Sequence, residues 1–441
     1  MTSAIFDSRE PASLKCSSLS AADSARLGRW KTISLAMGIA AQLFLAGDWY
    51  GFAAVSQFVA ADLALSPFQV GMVQGSFSIT YALGMIFWGA LGQRLSTRVL
   101  YCAGLVGVGL SMLVQTQAQS YEALVATRLA VGFFDAAVWI GAARLIIVWF
   151  PPAQRGRALS ALLAAFSLAI TLDFALGIPL AEAIGWRGFF MVLAISTLVV
   201  ALLGLLLVKN ERTAVGLPRF SWDDEVLGGG AMPSLWTIFQ SRWFYIAALA
   251  IFGDMFAVSA TATWVVPALI QTQGIEAHTA ATVGTLMGLS QVVLLLIGGH
   301  ISDLLRRRVL MLKIGAALSL LSGLSLLLTV KYGLPHGGLL LVAAFSGVVV
   351  FSGGAIFALI SEKYGERLGG SAIGYAEMVG ISSTFVAPAL LGAVIQSTGS
   401  FVAAFGTFVA VQLVILLALL LCSDERAGSL QPRFTPERSG A

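Results

Sequence analysis

The stretch Arg128-Leu-Ala-Val-Gly132-Phe-Phe-Asp135-Ala-Ala-Val-Trp139-Ile-Gly-Ala-Ala-Arg144-Leu-Ile-Ile-Val-Trp149-Phe150-Pro151-Pro152 decides how the rest of the chain is read. It reads as a membrane-spanning helix stopped at Pro151-Pro152, because proline lacks the amide that would continue the ladder. Arg128 and Asp135 lie seven residues apart, which returns to nearly the same helix face about 10 Å further along the axis. Gly132 and Trp139 fall on the same stripe. A charge at bilayer depth costs about 2.5–3.5 kcal/mol on insertion scales, so it needs a partner or a watery cavity. A helix that carries such charges on one face lines a pathway.

The surrounding composition supports a bilayer setting. The chain has 441 residues, is 58% hydrophobic and 11% charged, and has a mean hydropathy of +0.88. Soluble domains carry about 25% charged residues, so most of this chain is expected to be dissolved in lipid. The net charge of +4 does not indicate a nucleic-acid partner, since the basic residues sit in short loops and no nucleic-acid motif is present. Cys16, Cys102 and Cys422 are far apart without metal-ligand spacing, and all three are expected on the cytoplasmic side, reduced. The apolar run after Lys31 is too long for a signal-peptide core and is read as a first span that is kept.

About 20 apolar residues cross a bilayer. Twelve candidate spans follow: 33–60, 68–91, 99–118, 122–149, 158–182, 188–208, 241–270, 279–301, 309–330, 338–360, 371–396 and 401–422. With the N-terminus inside, 21 of the 26 Lys and Arg residues fall in cytoplasmic segments and only Arg187 and Lys331 in outer loops. That split obeys the positive-inside rule and places both termini in the cytoplasm. The expected organisation is a cytoplasmic tail (1–32), a six-helix bundle (33–208), a cytoplasmic linker (209–240), a second six-helix bundle (241–422) and a cytoplasmic tail (423–441).

The halves repeat one another. Gly89-Ala-Leu-Gly-Gln93-Arg94-Leu-Ser-Thr-Arg98 aligns without gaps on Gly299-His-Ile-Ser-Asp303-Leu-Leu-Arg-Arg-Arg308. Gly47-Asp48 corresponds to Gly253-Asp254, and Gly71 and Gly75 correspond to Gly284 and Gly288. Three matches in order indicate duplication, giving an all-α membrane protein of twelve transmembrane helices in two pseudo-symmetric six-helix bundles. Asp48, Arg128, Asp135, Asp173, Asp254 and Glu377 are the charges expected to be buried within spans, whereas the interiors of spans 3, 6 and 12 contain none and span 9 only Lys313, near its cytoplasmic end. Such segregation is what a central aqueous cavity would produce, with spans 3, 6, 9 and 12 facing lipid.

On these motifs the chain resembles the major facilitator superfamily. The superfamily signature Gly-x-x-x-Asp-Arg-x-Gly-x-Arg is seen between spans 2 and 3 and again between spans 8 and 9, although Gln93 stands where the first copy has Asp. More narrowly, Arg128, Gly132, Asp135 and the run Trp149-Phe150-Pro151-Pro152-Ala-Gln-Arg155-Gly156-Arg157 resemble the anion:cation symporter family. That resemblance implies import of organic anions with protons, Arg128 meeting the anion and Asp135 (usually Glu in the family) carrying a proton. Asp48 matches the family's span 1 acid, but Trp49 replaces the Arg that follows it.

The resulting expectations are specific. Arg128, Trp139, Asp48, Trp49 and Asp254 are candidate substrate contacts, and Asp135, Asp48 and Asp173 candidate proton carriers. Gly89, Gln93, Arg94, Arg98, Gly299, Asp303, Arg308 and Glu377 are candidate members of a cytoplasmic latch and gate. Each has a plain alternative: interhelical bonding for the acids, a structural ion pair for Arg128, packing for Trp139. Arg144, near its helix end, is expected to snorkel to the interface, and the isolated His278, His300 and His336 are not metal ligands. No phosphate cradle, nucleophilic triad or cofactor site is present, so the chain is not read as an enzyme. The expected function is a monomeric, proton-coupled secondary transporter of a carboxylate or other organic anion in the bacterial inner membrane, its partners being substrate, protons and lipid. A proton-driven exporter of amphipathic or cationic compounds is the alternative, and a transporter-like sensor a third.

Overall fold

The computed structural model describes residues 14–16, 19–92, 94–221 and 235–422. Its helices are α1 (Ala21–Leu63), α2 (Pro67–Gly92), α3 (Thr97–Gln115), α4 (Tyr121–Trp149), α5 (Pro152–Leu207), the short α6 (Trp236–Gln240), α7 (Arg242–Gln273), α8 (Ala277–Leu305), α9 (Arg308–Tyr332), α10 (His336–Ser346), α11 (Gly353–Thr398) and α12 (Phe401–Leu420). Among the described residues eleven helical segments are long and apolar enough to cross a membrane, and one of them, 157–207, carries two spans in one run. The protein is therefore a multi-pass integral membrane protein with an all-helical architecture. A two-residue parallel pairing, Leu14–Lys15 with Phe220–Ser221, joins the N-terminal segment to the segment after α5.

Local chemistry sets the helix ends. Ser20, Ser96, Ser120 and Ser400 cap α1, α3, α4 and α12, each hydroxyl accepting from the main-chain N–H three residues on. Pro151-Pro152 ends α4 and opens α5, where an amide proton is not needed. Gly185 (φ 75°, ψ 162°) breaks α5 into 152–184 and 186–207, a conformation glycine adopts without a Cβ penalty. The first helix starts at Ala21 rather than near residue 33. Its polar extension is held by Arg26 donating to the Gly216 carbonyl (3.1 Å) and by Trp30 stacked on Trp149.

Helix packing follows two seams. Among the helices before the 209–240 segment, α1 lies on α5 and α4, α2 on α4, and α3 on α4 and α5. Among those after it, α7 lies on α11 and α9, α12 on α9, and α8 on α10. The two sets meet where α2 packs on α11, α5 on α8 and α1 on α7. Both main seams use glycines spaced four apart, which let backbones approach closely. On α2, Gly71 and Gly75 abut the α11 backbone at Pro388 and Phe385; on α8, Gly284 and Gly288 abut Phe174 and Thr171 of α5. Phe68 N donates to Gln396 at the same end of the α2–α11 seam. These close approaches lie toward the face carrying Pro67, Ala277 and Thr398, opposite the face with the basic loops around Arg94, Arg155 and Arg307. Outward-facing Leu110, Leu202, Leu321 and Val414, each more than half exposed, line the flanks of α3, of 186–207, of α9 and of α12.

Candidate functional site

The site is built where α1, α4 and α5 converge. Asp48, Arg128 and Asp135 have no exposed surface, and Asp173 is 5% exposed. Gly47, beside Asp48, leaves room for Asp173: a Cβ there would sit 3.6 Å from an Asp173 carboxyl oxygen. Gly132 does the same for α2, since a Cβ at that position would run into the Phe77 carbonyl. The stripe 128–132–135 thus faces the first two helices across a backbone contact too close for any side chain.

Arg128 does not form an ion pair with a carboxylate among the described residues. Its guanidinium donates to the main-chain carbonyls of Asp48 (2.6 Å) and Trp49 (3.1 Å) and lies over the rings of Phe77 and Phe52. The Trp49 carbonyl also accepts from Gln74 Nε2 (2.9 Å). Asp135 accepts from the indole Nε1 of Trp49 (2.8 Å). That indole is packed against Phe77, Tyr81 and Phe166 at ring-centroid distances of 4.5, 4.9 and 5.4 Å. An aromatic cover therefore closes over the charges in this conformation, and they do not open onto a water-filled chamber as expected from sequence. No N–H or O–H of another residue type reaches the Asp48 carboxyl, which faces that of Asp135 closely enough to share a proton with it; one Asp173 oxygen and Arg128 Nε have no hydrogen-bond partner. Three carboxyls thus share one guanidinium, with hydrogen-bonding capacity left over on both sides.

The sequence brought Asp48, Arg128, Asp135 and Asp173 into one expectation, and the structure places them in one cluster. Trp49 joins it by a hydrogen bond whose partner no sequence pattern identifies, since it links residues 86 positions apart. Trp139 is half-buried on α4, one turn beyond Asp135. Asp254 is not part of the cluster: it accepts from Ser352 Oγ (3.1 and 2.8 Å) between α7 and the start of α11. Glu377 lies at the level of Tyr81 on α2 rather than at the basic loops, because the antiparallel α2–α11 register puts Gly75 on Phe385 and Gly71 on Pro388.

At the basic face, Arg308 binds Ser302 Oγ (2.6 Å), Asp303 (2.8 Å) and Glu362 of α11 (2.9–3.0 Å). Glu362 was not singled out from sequence; its partner lies 54 residues away. In the first copy, Arg98 donates to the Leu205 carbonyl and its amide to Asn210 (2.9 Å). Arg94 is exposed, and Gln93 lies outside the described residues. A Cβ at Gly89 or at Gly299 would meet nothing; a Cβ on Gly354 would come within 3.0 Å of the Gly299 Cα. Arg144 reaches the basic face, where it donates to the carbonyls of Gly92 (2.5 Å) and Leu95 (3.2 Å) and the negative end of the α2 dipole accepts a cation. Among the described residues no cluster of His, Cys, Asp and Glu could hold a metal ion.

The buried charge cluster lies within the first set of membrane-length helices, beside the seams that join it to the second. Residues 38–265 and 247–439 each match the Major Facilitator Superfamily, and the protein belongs to that superfamily. It is 23% identical over 379 residues to a hexuronate transporter of Bacillus subtilis, covering 82% of this chain and 89% of that one. It is also 23% identical over 301 residues to a D-galactonate transporter of Escherichia coli O6:H1, covering 65% and 70%. Among solved structures, a bacterial homolog of the human lysosomal transporter Spinster, in an inward-facing and unoccupied conformation, superposes with a TM-score of 0.68. The two share 15% sequence identity, over 89% of this chain and 95% of that one.

Proposed function

We propose that the protein carries a small organic anion, of the sugar-acid type, across the membrane together with protons, and that Arg128 receives the carboxylate of the substrate. The observation that carries this reading is the mismatch in the buried cluster: the hydrogen bonds of Arg128 go to main-chain carbonyls, while three carboxyls stand beside it, two of them facing each other, with acceptor capacity that no cation meets. A guanidinium gains more from a bidentate carboxylate than from two neutral carbonyls, so an arriving anion displaces the Asp48 and Trp49 carbonyls. Protons balance the remaining carboxyls, and Asp135, Asp48 and Asp173 are the groups that hold them. The sugar acids in the names of the relatives fit the same substrate class.

In this reading the basic face is cytoplasmic, and 33–208 and 241–422 rock as two bundles. The seams at Gly71/Gly75 and Gly284/Gly288 hold the outer side shut, so the conformation is the inward-facing one. Trp49 must leave Asp135 for a proton to arrive or depart, which makes the indole a cover that opens with substrate. A transporter-like sensor is disfavoured by the same unmet acceptor capacity, since a permanently filled core would satisfy it. Export of amphipathic cations is the second reading, favoured by Trp49 and its aromatic neighbours.

Proteoliposomes with an imposed pH gradient and a panel of sugar acids test this. The parent accumulates a carboxylate; Asp135→Asn loses proton-driven accumulation but retains exchange; Arg128→Ala loses anion binding. Accumulation by Asp135→Asn equal to the parent ends the coupling role, and gradient-driven efflux of a lipophilic cation in place of carboxylate uptake favours the exporter.

A further inference from the structure

The duplicated halves treat their first-span acids differently. Asp48 has Arg128 as a neighbour, supplied by α4. The span at the matching place in the second half, α10 and the segment up to Ser352, carries no Lys or Arg. Asp254 is 5% exposed and takes part in no ion pair among the described residues. Of the basic residues of α9, Arg308 and Lys331 lie at its two ends, and Lys313 is turned to the Cys422 carbonyl (2.8 Å). A carboxylate at this depth without a cation is costly.

Buried oxygens with spare acceptor capacity lie around Asp254. Ser352, 1% exposed, gives its hydroxyl proton to the carboxyl, leaving the lone pairs of Oγ free. Gln412 of α12, also 1% exposed, donates its amide N–H to the Gly253 carbonyl (3.0 Å). That bond fixes which end of the amide is which and leaves Oε1 buried and unpartnered. Asp254, Ser352, Gln412 and Gly253 line one narrow cleft whose remaining walls are apolar side chains of α7, α9 and α12, Leu312 and Ala316 among them. The donors are hard oxygens carrying a single formal negative charge. Divalent cations ask for more charge, more ligands or retained waters, whereas one monovalent cation neutralises this set.

We propose that Asp254, Ser352 and Gln412 form a sodium-binding site within the second half, separate from the Arg128 cluster, in which a mobile cation takes the place that a guanidinium holds in the first half. The site lies on the α9–α12 side of α7, away from the aromatic cover at Trp49, so the ion acts on how α7, α11 and α12 pack together. It stands whether or not the carboxylate–proton reading holds.

Thermal unfolding of the purified full-length protein in detergent, followed by tryptophan fluorescence at a fixed neutral pH, tests it in sodium, potassium and choline chloride at equal ionic strength. At about 100 mM salt, sodium raises the midpoint by about 3 °C or more over choline. Asp254→Asn and Gln412→Met remove that gap, and Asp135→Asn keeps it. No gap between sodium and choline overturns the site, as does a gap that survives in both Asp254→Asn and Gln412→Met. A midpoint that responds to pH but not to sodium overturns it in favour of a proton carrier. Should Asp254→Asn not fold, binding of radioactive sodium to Ser352→Ala and to the parent gives the same decision: weaker binding by the variant supports the site, equal binding refutes it.

Discussion

Replacing Gly71 with Ala should tip the protein away from the conformation described here. A Cβ built on Gly71 falls on the Pro388 carbonyl and within 3.0 Å of the Ala389 nitrogen. Both are main-chain atoms that no rotamer change can move, and the Pro388 carbonyl is also held by Trp264 Nε1 (3.2 Å). α2 and α11 must separate, at a cost of about 1–3 kcal/mol for an overpacked contact. If the seam exists only while this face is closed, that cost falls on one state alone and shifts the balance between states about 5- to 150-fold. Spin labels at Arg157→Cys and Arg307→Cys, both exposed on the basic face, report the change in a background lacking the native cysteines. Gly71→Ala should transfer population to a shorter label separation as the basic face closes. Gly89→Ala, where a Cβ meets nothing, should leave the distribution alone. A lowered unfolding midpoint with an unchanged distance distribution would refute the reasoning, because the seam would then be common to both states.

Two further outcomes follow from named contacts. Arg308→Ala releases Ser302, Asp303 and Glu362 at once and should cost about 1–3 kcal/mol, more than Asp303→Asn or Glu362→Gln alone, as read from thermal midpoints. Arg187 and Trp186 donate to Asp62 at the end of α1 and hold its carboxyl below the usual carboxylate range. A carboxyl lowered in the folded state stabilises above its unfolded value of about 4, and that contribution fades as pH falls below it. Because both side chains are 40–45% exposed, Asp62→Asn should lower the neutral-pH stability by less than about 1 kcal/mol and match the parent in acid, as read from thermal midpoints.

Hydropathy made the spans readable because a bilayer asks the same thing of every crossing helix. Helix continuity was not readable in the same way. The extension of α1 back to Ala21 depends on Ser20 as a cap and on Trp30 meeting Trp149, and the run through Gly185 depends on a single dihedral. The gathering of Asp48, Arg128, Asp135 and Asp173 was legible, since charges in oil must find one another. Their partners were not. Whether Arg128 points to a carboxylate or to a carbonyl, and whether Trp49 faces lipid or Asp135, is decided by helix rotation of a few tens of degrees. Asp254 shows the limit of reasoning by repeat: its alignment with Asp48 is clear, yet Ser352 and Gln412 give it surroundings of another kind.

The glycine pairs on α2 and α8 each offer a socket, and each socket is filled by the fifth span of the opposite half. Every half is thus both lock and key to its twin. Two copies of one joint, set side by side across the dividing plane, resist twisting better than a single joint of twice the area. Loosening one leaves the other as a pivot, so damage to a single glycine should make the molecule gape to one side rather than fall apart.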